Sequence, residues 1–138
     1  MNLINRIPAS AALLALLLAL LLPSDADART RTIQNVENAP IPAGLDMKAI
    51  GDAIIDGCST RNWQASLVEA GHMQCTLYIR DHMAKVDIRY DTEAFSITYA
   101  DSDNLKYDAE KNKIHRNYNS WVQNLRGDIN NELLKASR

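Results

Sequence analysis

Three histidines, two cysteines and a run of aspartates carry the side chains in this sequence most able to hold a metal or form a covalent intermediate. His72, His82 and His115 bring imidazoles, the commonest protein ligands for metals. His72 and His82, however, bracket a stretch of alternating hydrophobicity that reads as a strand of about eight residues, more than ~20 Å from end to end. One ion cannot bridge that distance. Asp101, Asp103 and Asp108 suggest a calcium loop, but its sixth position, where the tight turn demands glycine, is Lys106, and its twelfth, where a bidentate glutamate is required, is Asn112. No metal and no cofactor is expected. Ser102, His115 and an aspartate can be assembled into a hydrolytic set. No nucleophile elbow of the G-x-S-x-G kind accompanies them, so no catalytic residue is assigned and a small hydrolase ranks last among the readings.

Polar recognition fares better. His115, Tyr118 and Asn119 stand at the head of the last apolar-periodic stretch, beside Asn117, and the free N–H groups of a helix start can hold an anionic group. Ordinary packing accounts for the same residues: either asparagine caps the helix, Tyr118 enters the core, and His115 bonds to the preceding loop. Asn104 and Tyr107 lie in that loop, a 101–114 connection long enough to carry function. Tyr78, Arg80 and Arg89 form a second candidate group, since tyrosine and arginine are the residue types that anchor interfaces.

Regular elements must position these residues. Over 113–134, Tyr118, Trp121, Val122, Leu125, Ile129 and Leu133 recur at steps of three and four, which predicts an amphipathic helix. Asp46 reads as the N-cap of an earlier helix with Met47, Ile50, Ala53 and Ile54 on one face and Gly57 as its stop. Between them the period is two. Trp63, Ala65 and Leu67, then Cys75, Leu77 and Ile79, then Ala84, Val86, Ile88 and Tyr90, then Phe95, Ile97 and Tyr99 alternate with polar residues. Loops at 70–72, 81–82 and 91–94 pair Leu67 with Cys75, Ile79 with Ala84 and Tyr90 with Phe95, keeping every apolar residue on one face.

The expected fold class is therefore α+β, a two-layer α-β-β-β-β-α domain over 46–135. A four-stranded antiparallel meander carries both helices on one face and leaves the polar face open. Cys58, leaving the inner side of the first helix, and Cys75, on the inner face of the second strand, then approach each other and are expected to form a disulfide. Residues 29–45, with two prolines, a glycine and no periodicity, read as an extended lead-in.

Location comes from the first 28 residues. Arg6 precedes the unbroken apolar run 11–22, Pro23 follows, and Ala26-Asp27-Ala28 supplies a small-x-small site, the pattern of a signal peptide cleaved after Ala28. Twelve apolar residues fall short of the roughly 20 of a membrane-spanning helix, so no stable membrane insertion is expected after cleavage. Removing 1–28 takes Arg6, Asp25 and Asp27, leaving 14 basic against 15 acidic residues and no basic footprint for nucleic acid.

From Trp63 through Arg80-Asp81-His82, Ser96-Ile97-Thr98-Tyr99 and Asn104-Leu105 to Trp121, the chain resembles a group of small exported proteins and lipoproteins of Gram-negative bacteria with no assigned function. The most specific piece is I-H-x-N-Y-N-x-W at Ile114–Trp121, and the resemblance runs from about Val36 to Leu133. Many of that group close their signal sequence with a lipidated cysteine. Here no cysteine precedes Cys58, so the resemblance implies a soluble periplasmic product. These readings lead to a non-enzymatic periplasmic accessory or binding protein, contacting an envelope partner through the outer sheet face or the 101–119 segment. A binder of a small anionic ligand at the last helix start is the alternative.

Overall fold

The computed structural model describes residues 28–138, so residues 1–27 of the expected signal sequence lie outside the described residues. Its elements run β1 (Thr30–Thr32), β2 (Val36–Pro40), α1 (Met47–Thr60), β3 (Gln64–Glu69), β4 (His72–Ile79), β5 (His82–Tyr90), β6 (Ala94–Asp103), β7 (Lys113–His115) and α2 (Asn117–Ala136). Five strands form one antiparallel sheet in the order β2-β6-β5-β4-β3, and β1 pairs with β7 in a separate two-stranded sheet.

The α+β class and the meander from β3 to β6 match the sequence expectation; the strand count does not. The fifth strand, β2, comes from the lead-in. Its two inward residues, Val36 and Ala39, are three apart because the pairing with β6 shifts register between them, so no period of two is visible in the sequence. Pro40 is tolerated because β2 is an edge. Ile33, Val36, Ala39 and Ile41 all enter the core.

The β5–β6 hairpin has the expected register, Tyr90 opposite Phe95 and Val86 opposite Tyr99. In the other two hairpins the pairing slides by two residues: Leu67 faces Met73 rather than Cys75, and Leu77 rather than Ile79 faces Ala84. A slide of two preserves the face of every side chain. The β4–β5 turn is thus Arg80-Asp81, with Arg80 at a left-handed φ of 56°, and His82 begins a strand. Leu67 itself is 63% exposed, because β3 is the other edge of the sheet.

One core joins the inner sheet face to both helices. Ile50 and Ile54 of α1, Val86, Ile88 and Ile97 of the sheet, and Leu125, Ile129 and Leu133 of α2 are all fully buried in it. Asp46 caps α1, its carboxylate accepting from the Ala49 N–H at 2.8 Å. Gly57 does not stop the helix, which continues to Thr60; it sits where α2 crosses, buried and without a side chain. Cys58 and Cys75, both buried, form the expected disulfide, their Cα atoms 6.7 Å apart. Arg61 Nε donates to Asp128 Oδ2 at 2.8 Å, a second tie between the end of α1 and α2.

Candidate functional site

The connection after β6 folds into a small hairpin. Asp108 and Lys113 exchange backbone hydrogen bonds of 2.9 and 3.1 Å, and the His115 N–H donates to Leu105 O at 2.8 Å. Leu105 and Ile114 anchor it in the core. Three residues on this segment, Asn104, Lys106 and Asn112, hold left-handed φ angles of 55°, 54° and 51°. For a lysine this backbone has no side-chain compensation and costs about 1–2 kcal/mol. Asn104 spends its conformation on a clamp. Its Nδ2 donates to Asp81 Oδ2 at 2.9 Å, and its carbonyl accepts from His82 Nδ1 at 2.7 Å. The clamp binds the β4–β5 turn to the connection that leads into α2.

The result is a cleft of about 140 Å³, lined by Ile79, Arg80, His82, His115, Asn117 and Trp121. The imidazoles of His82 and His115 face each other across it with centroids 6.2 Å apart. Because a carbonyl can only accept, the proton on neutral His82 sits on Nδ1, leaving Nε2 beside Asp81 Oδ1 at 3.4 Å. His115 Nδ1 accepts from the Asn117 N–H at 3.2 Å, so its free Nε2 carries the proton. No side chain caps α2 at Arg116; the neighbouring imidazole takes one of its first N–H groups instead. Burial lowers the pKa of His115, and its electrostatic interactions with His82, Arg116, Lys106 and Arg29 lower it further. The cations Lys106 of the connection, Arg29 of the lead-in and Arg116 at the start of α2 all act on this ring.

The remaining candidates are distributed around and away from the cleft. Tyr107 stacks on Tyr99 with ring centroids 4.2 Å apart, and Tyr99 shares a 2.8 Å hydrogen bond with Ser102. Tyr118 is buried, edge-on to Tyr99 at 6.0 Å, and burial drives its phenol far above the usual tyrosine range. Asn119 is occupied by the lead-in: its Oδ1 accepts from the Gln34 N–H at 3.0 Å and its Nδ2 donates to Thr32 O at 2.9 Å. The I-H-x-N-Y-N-x-W stretch is thus split between cleft and scaffold, with His115, Asn117 and Trp121 on the cleft, and Tyr118 and Asn119 in the fold.

Tyr78 and Arg89 lie on the outer sheet face, Tyr78 as the most exposed of the large hydrophobic residues there. At the centre of that face Asp87 Oδ1 accepts from His72 Nε2 at 2.6 Å and from Gln74 Nε2 at 3.1 Å, while Arg89 stands 3.9 Å from Asp87 Oδ2. Partial burial pushes the Asp87 carboxyl up, but these hydrogen bonds and the Arg89 charge outweigh it and hold the pKa below its ordinary value. His72, Gln74 and Arg89 on this face thus converge on Asp87.

Sequence reasoning set Asn117 beside His115 as a cap, but assigned His82 and Trp121 no place beside His115 and Arg80. A turn placed at 80–81 instead of 81–82 would have set His82 on β5, beside the end of β4. Its approach to His115 depends on the Asn104 clamp, which has no sequence signature. Among the described residues no group of three or more His, Cys, Asp or Glu side chains is arranged to hold a metal ion, and no helix is long and apolar enough to cross a membrane. Comparisons with protein-family models, with curated proteins and with solved structures give no match for this chain.

Proposed function

We propose that this is an exported, non-enzymatic binding protein of the Gram-negative periplasm that holds an anionic group, a phosphate or carboxylate, of an envelope ligand or partner in the cleft between the β4–β5 turn and the start of α2. The observation that carries the reading is the meeting of Arg80, His82 and His115 at one cleft, inside the combined field of Arg116, Lys106 and Arg29. Arginine offers a forked donor suited to oxyanions. His115 presents an N–H, and the unpaired N–H groups of a helix start favour negative charge. Trp121 and Ile79 provide an apolar wall that keeps the contact partly dry. Three left-handed non-glycine residues, Arg80, Asn104 and Lys106, bracket the cleft, and backbone strain of this kind gathers at binding sites.

The outer sheet face is the weaker candidate for the contact, because His72, Gln74 and Arg89 already serve Asp87. The lipoprotein resemblance and the apolar leader support the location, and the disulfide fits an oxidising compartment. Titrating inorganic phosphate, sulfate or acetate into isotope-labelled protein tests the site. Amide and imidazole resonances of Arg80, His82, His115 and Asn117 should move together and saturate. Shifts confined to the outer face, around Tyr78 and Arg89, would move the contact there and overturn the cleft reading.

A further inference from the structure

The cleft between the β4–β5 turn and α2 presents acceptors as well as donors. On the donor side stand the guanidinium of Arg80 and the Nε2–H of His115, whose Nδ1 accepts from the Asn117 N–H. On the acceptor side the Nδ1 proton of His82 goes to Asn104 O, which leaves a lone pair on Nε2, 3.4 Å from Asp81 Oδ1. That separation is longer than the ~2.7–2.9 Å of a charge-assisted bond between an imidazolium and a carboxylate. The two atoms are therefore neighbouring acceptors that one ligand donor can bridge. The Asp81 side chain is 78% exposed, so the pair is open to solvent.

The His82 and His115 rings, with centroids 6.2 Å apart, stand within the contact range of aromatic pairs, so no ligand enters between their faces. A ligand that meets both rings does so along their edges, with an acceptor for His115 and a donor for His82 on neighbouring atoms. Resting on the anion-binding reading of this cleft, we propose that its ligand is an α-amino carboxylate. The carboxylate lies on Arg80 and the His115 Nε2–H, the α-ammonium bridges His82 Nε2 and Asp81 Oδ1, and an apolar substituent lies against Ile79 and Trp121.

The alternatives match these groups less well. A phosphate ester is mostly dianionic at neutral pH and offers acceptors only, which would face the acceptors of His82 and Asp81. A 2-hydroxy acid has the right order of groups, but its neutral hydroxyl makes a hydrogen bond about half as strong to a carboxylate as a cationic donor does. A residue inside a polypeptide carries neither charge. The cleft of about 140 Å³ has room for about five water molecules at ~30 Å³ each, which suits a free amino acid with a small side chain.

Alanine, lactate and propionate test the assignment, because they share a three-carbon carboxylate and differ at the α-carbon in an ammonium, a hydroxyl or a hydrogen. Each is titrated at neutral pH into isotope-labelled protein and followed at the Arg80, His82 and His115 resonances. Alanine should bind about tenfold tighter than propionate, the effect of one charge-assisted hydrogen bond, with lactate between them. Asp81→Asn keeps an oxygen to accept from Asn104 Nδ2 but removes the charge. In that variant propionate should tighten, alanine should weaken, and the preference should fall towards one; an unchanged melting transition shows that it folds. The three-ligand comparison in the wild-type protein stands without the variant. Sulfate binding with no preference for alanine, or a preference that persists in folded Asp81→Asn, overturns the assignment and leaves the anion reading intact. No saturable response to sulfate or to any of the three overturns both.

Discussion

A β-carbon built on Gly57 would lie 2.6 Å from the Cα of Ile129 and 2.8 Å from its backbone nitrogen, so α1 and α2 touch backbone to backbone at this crossing. No side chain can turn aside there. Gly57→Ala should force the helices apart and destabilise the domain by about 1–3 kcal/mol, as overpacking a well-filled core does. Gly127, in the interior of α2, has open space where a β-carbon would stand, with nothing within 4 Å. Gly127→Ala should therefore stabilise the protein by about 0.5–1 kcal/mol through helix propensity alone. Urea denaturation of the two variants should move the midpoint in opposite directions.

The Cys58–Cys75 disulfide closes a loop with a sequence separation of 17. In the chain-entropy model a loop of this length contributes about 3 kcal/mol by restricting the unfolded chain. Replacing both cysteines by alanine should lower stability by about that amount in denaturant. Non-reduced protein, unfolded and treated with an alkylating reagent, should gain no mass at either cysteine.

Asn119 ties the lead-in to α2 through two hydrogen bonds, to Gln34 N–H and Thr32 O. Asn119→Ala leaves that donor and that acceptor without these bonds, at a cost of about 1–3 kcal/mol. Asn119→Asp keeps the acceptor and loses the donor, and should fall between. Hydrogen exchange at the Gln34 amide should accelerate in the alanine variant while amides of β4 and β5 stay protected. Uniform acceleration across the sheet would mean that the lead-in does not open separately.

Asp87 makes the outer face sensitive to acid. Its folded pKa lies below the ordinary 3.8, so protonation favours the unfolded chain. Its contribution is fully present above that value and is lost as pH falls beneath it. Asp87→Asn removes this titration, and the stability of the variant should decline less steeply than wild type in that window. Parallel acid limbs in the two proteins would contradict the contribution.

What could be read from the sequence followed from how locally each feature is encoded. The α2 stripe from Tyr118 to Leu133 and the faces of β4, β5 and β6 repeat with a fixed period, so the pattern of residue types alone places them. The disulfide followed because both cysteines fell on inward positions of adjoining elements. The β2 strand was hidden because its register irregularity breaks the alternation between Val36 and Ala39. The cleft was half hidden. His115 and Arg80 were singled out separately, but their meeting depends on Asn104 in a left-handed backbone bonding across 23 residues to Asp81. Such a tertiary clamp leaves no periodic trace. Asn119 and Tyr118 looked like cleft residues because they sit next to His115 in sequence, yet the helical turn rotates them towards the lead-in and the core.

The charge of the cleft couples anion binding to pH. His115 has a pKa below the ordinary 6.5, caused first by burial and then by His82, Arg116, Lys106 and Arg29, with Asp81 as the carboxylate nearest His82. An anion bound among these groups stabilises the imidazolium, so binding raises the His115 pKa and affinity must rise as pH falls through the range in which His115 takes up its proton. Sulfate is the probe to use, because it keeps its double charge through this range and any pH dependence belongs to the protein. Arg80→Ala should weaken sulfate binding about tenfold at every pH, the loss of one charge-assisted hydrogen bond, and leave the pH slope intact. His115→Gln keeps an N–H donor but cannot gain a proton, so its affinity should stay near the wild-type neutral-pH value and lose most of the slope. Calorimetric titrations from neutral to mildly acidic pH separate these outcomes. A wild-type affinity that does not change with pH would remove His115 from the site.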